Sequence, residues 1–361
     1  MATDELDPLL PGRTFGGRYQ VKERLGRGGV GEVYRAFDRE RGLEVALKVL
    51  RSELAPRREH RQRFLREASV VGRLRHPNIV GVLDDGEQDG RAFIAMELIQ
   101  GVSLEQHLLR VHVLSPVEVH ALALGVARAL QAAHGAGVVH RDVKPGNILL
   151  RAERSGPGAV AVCDFGLAKL LDATGHRAPA TQGSVRLGTP AYMAPELLAG
   201  ESSDPRIDLF SLGVVLFEAS SGRRPWPEPT ASNPWVEPSS SARPRIGALA
   251  PELPPTLAEL VERCLALDPA ARPASATRIL DALAASSAPR RGAPARPSGF
   301  TPDEPRSLEL RSPASASLPP AGRSASQEAD PRPPPSTLRW ALGVLTALLF
   351  AAAVGWALRP R

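Results

Sequence analysis

HRDVKPGN at residues 140–147 and CDFG at residues 163–166, separated by an apolar run, are the two segments that decide the fold of this chain. Each contains an aspartate, Asp142 in the first and Asp164 in the second. Alone, either could be a turn carboxylate that hydrogen-bonds its own backbone. The segments that precede and follow them decide between a simple turn and a chemical site.

A glycine-rich turn lies upstream, between two predicted strands. A lone GxGxxG pattern is a weak signal, and a glycine hairpin without a ligand is an alternative. Because the turn joins strand to strand, it disfavours a dinucleotide-binding turn and favours a flexible hairpin folded over phosphates. We predict nucleotide contacts for Leu25, Gly26, Arg27, Gly28, Gly29, Val30, Gly31, Glu32 and Val33.

Lys48 ends the apolar sequence Val45-Ala46-Leu47-Lys48, soon after the glycine-rich turn. A long cationic side chain in such a strand needs an anionic partner, which a phosphate and a carboxylate would supply. Glu67, on the next predicted helix, is the candidate carboxylate. The alternative is a snorkelling lysine at a strand edge and a solvated helix glutamate.

The hydrophobic pattern changes along the chain from strand-like to helical. The first part contains short β-rich runs and one helix, at Tyr19–Leu25, Val33–Phe37, Glu44–Val49, Glu59–Leu74, Ile79–Asp84 and Ala92–Leu98. The second part is helical, with runs from Ser115 to His134 and at Ile207–Ser221, Leu257–Leu267 and Ala274–Leu283. This pattern predicts an α+β chain with a small β-rich lobe and a larger helical lobe.

With these motifs in this order, the sequence resembles the protein kinase superfamily from Arg18 to about Leu283. The resemblance includes Gly188-Thr189-Pro190 and, closing the activation segment, Ala194-Pro195-Glu196. It implies the bilobal kinase fold and an ion pair between Glu196 and Arg272 that braces the large lobe. It also implies that Asp208 orients the backbone of the catalytic loop.

The resemblance assigns chemistry to the two deciding segments. Asp142 would accept the proton of the substrate hydroxyl, and Lys144 would stabilise the transferring γ-phosphate of ATP. Asn147 and Asp164 would bind Mg²⁺, with Mn²⁺ as the alternative metal. Lys144 is typical of members that phosphorylate serine and threonine, and Thr189 supports the same specificity.

The resemblance also assigns the nucleotide site. Lys48 would hold the α- and β-phosphates, oriented by Glu67. The adenine edge would meet the backbone of the segment between the lobes, beside Met96 as the gatekeeper. The remaining contacts implied for the base are Val33, Ala46, Glu97 and Ile99.

The activation loop offers three phosphorylation candidates. Arg141 directly precedes Asp142, an arrangement that in this family couples activity to a phosphate on that loop. Thr181 lies eight residues before Thr189, as does the autophosphorylated site of bacterial members. We therefore expect Thr181 as the primary site, with Ser184 and Thr174 as further candidates, or three unmodified loop residues as the alternative.

Composition excludes several classes of protein. The net charge of +6 and pI near 9.9 could indicate a nucleic-acid binder, but acidic residues alternate with arginine, so we expect no nucleic acid as a partner. The two cysteines, Cys163 and Cys264, do not form a disulfide framework and fit a reducing compartment.

The C-terminal part differs in composition from the rest. Residues 286–337 are rich in Pro, Ser and Arg and predict a disordered linker. Trp340–Leu358 contains no charged residue, is flanked by arginines and is about as long as a bilayer core is thick, ~30 Å. A buried core helix is the alternative. We expect a transmembrane helix at 338–358, hence a single-pass protein of the cell (inner) membrane whose kinase domain faces the cytoplasm.

The predicted organisation is an extension, a catalytic domain, the linker and the helix, at 1–17, 18–285 (lobes 18–97 and 98–285), 286–337 and 338–358. The predicted function is that of a bacterial eukaryotic-like serine/threonine protein kinase activated by autophosphorylation, with protein substrates, the lipid bilayer and a transient homodimer as partners. Two rivals are a pseudokinase scaffold and a small-molecule kinase of related fold. The intact motif set disfavours the first, and the activation segment and Lys144 disfavour the second.

Overall fold

A computed structural model describes residues 11–88, 90–165, 190–200, 204–226 and 243–287. The phosphorylation candidates Thr174, Thr181 and Ser184 lie outside the described residues, as do Thr189, nearly all of the predicted linker and the segment 338–358. Within the described ranges, no helix has the length and apolar character needed to cross a bilayer.

The small lobe is built on an antiparallel sheet of six strands in the order β1-β2-β3-β4-β6-β5. Alternate residues of β3 face the interior, as expected for a half-buried strand. Helix α1 packs on β5 and β6 and buries Phe64 and Ala68. The elements are β1 Thr14–Phe15, β2 Tyr19–Arg27, β3 Gly31–Asp38, β4 Leu43–Leu50, α1 Arg58–Val71, β5 Val82–Gln88 and β6 Arg91–Glu97.

The large lobe is helical and forms around α5, in which nearly every residue from Ile207 to Ser220 is buried. A helix that is apolar on all sides is stable only inside a core, so α5 serves as the centre of this lobe. Helix α3 begins with a capping box, in which Ser115 and Glu118 satisfy each other's backbone N–H groups. The helices are α2 Leu104–Val111, α3 Pro116–Gly135, α4 Pro195–Leu198, α5 Arg206–Ser221, α6 Ile246–Leu249, α7 Pro255–Cys264 and α8 Ala276–Ser287.

A second sheet, of three strands, lies beside the catalytic loop. It consists of β7 (Gly101–Ser103), β8 (Ile148–Arg151) and β9 (Val160–Val162) in that order. A side chain on Gly101 would overlap the carbonyl oxygen of Leu150, so only glycine allows this pairing. The sheet places residues 140–147 just before β8 and residues 163–166 just after β9.

The predicted two-lobed α+β architecture is confirmed, with one element shifted. The strand expected at Ile79–Asp84 begins at Val82, because the residues before it pair with the large lobe instead. Val80 N donates to Val162 O at 2.9 Å, and Val162 N donates to Asn78 O at 2.8 Å. These bonds connect the segment before β5 to β9, next to the expected site.

Candidate active site

The backbone of the catalytic loop, residues 140–147, is held by hydrogen bonds to Asp208 near the start of α5. Its two carboxylate oxygens accept hydrogen bonds from the backbone N–H groups of His140 at 2.8 Å and Arg141 at 2.7 Å. Arg141 has a φ of 67°, a left-handed conformation that costs a side-chain-bearing residue about 1–3 kcal/mol. Asp208, which is fully buried, stabilises that conformation and thereby positions Asp142, the residue that follows Arg141.

Asp142, Lys144 and Asn147 form one hydrogen-bonded group. Lys144 Nζ lies 2.7 Å from Asp142 Oδ2, and Asn147 Nδ2 donates to the same oxygen at 2.9 Å. Asn147 Nδ2 also donates to the backbone oxygen of Asp142 at 2.8 Å. Because the amide nitrogen is used in this way, the side-chain oxygen of Asn147 is the atom left to bind a cation.

Lys48 pairs with Asp164 across the two lobes. Lys48 Nζ lies 2.7 Å from Asp164 Oδ2, and the lysine is 6% exposed. Burial raises the pKa of Asp164, but the charge and hydrogen bond of Lys48 outweigh it, so this pKa lies below its usual value. The side chain of Glu67 lies outside the described part of the chain, so its pairing with Lys48 stays a prediction.

The two deciding segments are joined by His140. Its Nε2 atom lies 2.9 Å from the carbonyl oxygen of Cys163, and its ring packs on that of Phe165 with centroids 4.4 Å apart. Phe165 is buried, and burial also raises the pKa of the Cys163 thiol. These contacts place the carboxylate of Asp164, which directly follows Cys163, on the side that faces Lys48.

Between the lobes lies a cleft of about 610 Å³, a volume within the usual range of small-molecule and cofactor sites. The glycine-rich turn, the strand of Lys48, the segment between the lobes and the metal-binding residues all contribute to its wall. The sequence-predicted residues that line it are Leu25, Gly26, Arg27, Gly28, Gly31, Val33, Ala46, Lys48, Met96, Glu97, Ile99, Asn147 and Asp164.

Three residues predicted to contact the nucleotide do not line the cleft. Gly29 and Val30 lie at the tip of the turn, where Val30 packs against the hydrophobic core. The carboxylate of Glu32 instead accepts a hydrogen bond from Tyr34 at 2.5 Å and lies 3.4 Å from Arg27. Asp142 and Lys144 also lie outside the lining, although Asn147, which bonds to Asp142, belongs to it.

The donor set fits a divalent cation shared with phosphates. In the described residues, no group of three or more His, Cys, Asp and Glu side chains could hold a metal alone. Mg²⁺ usually takes only one or two protein oxygens, with phosphate and water completing its shell. Asn147 and Asp164, both in the wall of the cleft, supply that number.

Ser103 and Gln106 line the cleft at the start of α2 but are not among the residues predicted from the sequence. The two side chains form a capping box, with Ser103 Oγ accepting from Gln106 N and Gln106 Oε1 accepting from Ser103 N, each at 3.1 Å. The signal was present, because a serine followed three residues later by glutamine predicts a helix start.

The predicted brace of the large lobe is formed. Arg272, whose side chain is fully buried, makes two bonds to Glu196 at 2.5 and 2.9 Å. Arg272 also donates to the carbonyl oxygens of Ala266 and Leu267, so its charge is well compensated. The pair anchors α4, which contains the end of the activation segment, to the helical core.

Comparisons with known proteins agree with this geometry. The family model described as "Protein kinase domain" matches residues 19–283. Serine/threonine-protein kinase PknA of Mycobacterium tuberculosis is 40% identical over 364 residues, covering 95% of this chain and 81% of the relative. Serine/threonine-protein kinase pkn3 of Myxococcus xanthus is 39% identical over 81% of this chain and 55% of its own length.

A solved structure gives the same result. The crystal structure of the Mycobacterium tuberculosis PknI kinase domain aligns with a TM-score of 0.59 at 34% identity, covering 77% of this chain and 99% of that one. The predicted serine/threonine kinase activity is therefore confirmed at the level of the family, which uses ATP and a divalent metal. The chain belongs to the protein kinase family and is a bacterial-type serine/threonine protein kinase.

Proposed function

We propose that this kinase transfers the γ-phosphate of ATP, bound with Mg²⁺, to Ser and Thr hydroxyls of proteins through Asp142, Lys144, Asn147, Lys48 and Asp164. The observation that carries the proposal is the arrangement of two ion pairs around Asn147, of which one lines the cleft and the other is bonded to Asn147 beside it. One is Lys48 with Asp164 and the other is Lys144 with Asp142, with Asn147 touching the second.

Phosphoryl transfer depends mainly on positioning and on compensation of phosphate charge. Asp142 is the base that receives the hydroxyl proton, and Lys144 holds its carboxylate in one orientation while bringing positive charge to the transferred group. Lys48 binds phosphate oxygens inside the cleft. Asn147 and Asp164 would hold the divalent metal, which would supply further positive charge to the phosphates.

Transfer of labelled γ-phosphate from Mg-ATP to a generic acceptor protein tests this proposal. The fragment 1–287 is suitable because it contains the whole matched domain. We expect label on Ser and Thr with the wild-type fragment and with Asp281→Asn, whose carboxylate is exposed on α8, but not with Asp142→Asn. Nucleotide binding without transfer by the wild type, with Mn²⁺ also tried, would favour the scaffold alternative.

Activation by autophosphorylation at Thr181, in a transient homodimer, is part of the proposal. Its support is the sequence, in which Arg141 precedes Asp142 and Thr181 lies eight residues before Thr189. Phosphopeptide mapping should place phosphate on Thr181, and the rate should rise more than linearly with kinase concentration. Thr181→Ala should lower activity while Thr174→Ala should not. Phosphate on other loop residues but not on Thr181 would contradict this assignment.

The proposal also places the kinase at the cytoplasmic face of the cell membrane, held by a helix at 338–358. The support is an uncharged apolar segment of bilayer length with arginines on both sides, and the need of the catalytic domain for ATP. The full chain should sediment with membranes after alkaline carbonate washing, and a chain ending at Ser287 should stay in solution. Release of the full chain by carbonate would contradict the anchor.

A further inference from the structure

A second cavity, of about 360 Å³, lies next to the catalytic loop. It shares Glu105 and Gly146 with the nucleotide cleft, and Lys144 forms part of its wall. Lys144 Nζ lies 2.7 Å from the carboxylate of Asp142. A side chain that enters this cavity would therefore lie close to a hydroxyl group that reaches Asp142.

The end of the cavity opposite α2 carries a charge arrangement of its own. Tyr192 donates a hydrogen bond to Glu218 Oε2 at 2.6 Å, and Arg224 Nε lies 3.9 Å from Glu218 Oε1. The guanidinium carbon of Arg224 lies 5.6 Å from the centroid of the Tyr192 ring. The side chains of Arg224 and Glu218 are only 18% and 22% exposed, so this is a partly buried ion pair.

The negative charge of the partly buried Glu218 carboxylate needs a compensating partner in this cavity. Burial raises its pKa, and the Tyr192 hydroxyl and the charge of Arg224 act against that rise. Glu105, exposed at the other side of the cavity, adds further negative potential at Glu218. Without Arg224, the carboxylate of Glu218 would join that of Glu105 in attracting a cation that enters the cavity.

The backbone fixes where Arg224 points. Helix α5 ends at Ser221, and the next residue, Gly222, has a φ of 71° and forms the left-handed cap that glycine favours. Arg223 is then exposed, Arg224 lines the cavity, and Pro225 and Trp226 are buried. Two adjacent arginines thus have different environments, and only the second reaches Glu218.

We propose that Arg224 is a specificity-determining residue, which pairs with Glu218 and thereby excludes Arg and Lys side chains of protein substrates from this cavity. A substrate cation would meet Arg224 and Lys144 and find Glu218 already paired. An uncharged side chain can pack against Leu108 without displacing either. The inference rests on the proposed phosphorylation of proteins and adds a substrate preference to it.

The test compares peptides that differ only in carrying Ala, Glu or Arg at each position flanking the phosphoacceptor. With the full-length wild-type chain, Arg at the position that reaches the cavity should lower kcat/KM relative to Ala. The Arg224→Ala variant should raise kcat/KM for the Arg peptide about tenfold relative to kcat/KM for the Ala peptide. We expect the change mainly in KM, because the substrate arginine gains one charged hydrogen bond. Arg223→Ala, the exposed neighbour, should keep the wild-type preference.

A second pair of variants tests the role of Glu218. Arg224→Gln, which keeps most of the volume, should shift the preference in the same direction as Arg224→Ala. The double variant Arg224→Ala, Glu218→Gln should lose the gain. Equal preferences in wild type and Arg224→Ala, or a wild type that already prefers Arg at every position, would overturn the assignment.

Peptide binding, measured by fluorescence anisotropy, separates this inference from the proposed function. Absence of phosphate on all peptides with the wild type would refute the proposed function. The binding arm would still compare wild type and Arg224→Ala for the Arg and Ala peptides. Tighter binding of the Arg peptide by the variant alone would support Arg224 as the excluding residue, and unchanged relative binding would refute it.

Discussion

Replacement of Asp208 by alanine should have two effects: it should destabilise the large lobe, and it should inactivate the enzyme. The carboxylate is fully buried and accepts bonds from the backbone N–H groups of His140 and Arg141 and from His134 Nε2, at 2.8, 2.7 and 2.8 Å. Each buried donor left without an acceptor costs about 1–3 kcal/mol, so for three donors we expect a loss of about 3–9 kcal/mol in the free energy of unfolding. Whole domains are stable by only about 5–15 kcal/mol, so the loss is a large part of the total.

Asparagine at position 208 provides a graded version of the same test. Its side chain has one acceptor oxygen, so one of the two backbone N–H groups would face an NH₂ group instead. We expect about half the loss seen with alanine. Urea unfolding of the 1–287 fragment, followed by tryptophan fluorescence, measures both variants. Asp281→Ala, which removes an exposed carboxylate from α8, should change the free energy by less than about 0.5 kcal/mol.

Hydrogen exchange tests the cause of the loss. In Asp208→Asn, one of the two amides of His140 and Arg141 should exchange faster than in the wild type, because it has lost its buried acceptor, and the other should keep its protection. An alanine variant that unfolds within about 1 kcal/mol of the wild type and keeps its phosphotransfer rate would refute the reasoning.

Three further outcomes are expected. Glu196→Ala leaves the buried Arg272 guanidinium without its carboxylate and should cost about 3–5 kcal/mol in urea unfolding; a loss below about 1 kcal/mol would contradict the brace. Gly125→Ala should destabilise, because the new methyl group would lie 2.5 Å from a valine side-chain carbon. Gly135→Ala in the same helix meets open space and should be neutral or stabilising, and equal effects would contradict the packing argument. Burial raises the pKa of Cys264 to about 12, so iodoacetamide should label it at pH 7 only after unfolding, and rapid labelling of the native protein would contradict its burial.

The sequence was sufficient for the two lobes and most of the cleft. The lysine strand, the catalytic loop and the metal loop are short segments recognisable by their chemistry and their order, and the structure brings Lys48, Asn147 and Asp164 to one cleft. The pattern of β3 and β4 also gave their positions to within two residues, because alternating burial has a clear period.

Other features depend on contacts between distant parts of the chain. Strand β5 starts later than predicted, because Asn78 and Val80 hydrogen-bond Val162 of the other lobe, which no local pattern encodes. The pairing of Lys48 with Asp164 joins residues more than one hundred positions apart. Glu32 lies in the glycine-rich motif but turns to Tyr34 and Arg27, since a motif fixes the backbone and not every side chain.

The most direct test of the central claim separates nucleotide binding from phosphotransfer in the Asp142→Asn variant. Single-turnover transfer to an acceptor peptide is measured at saturating Mg-ATP, together with the Kd for the nucleotide. Because Asp142 lies outside the lining of the nucleotide cleft, we predict a Kd near that of the wild type and a transfer rate reduced at least about a hundredfold, the contribution of a general base. An unchanged transfer rate, or a loss explained entirely by weaker nucleotide binding, would contradict the role of Asp142 in the transfer step.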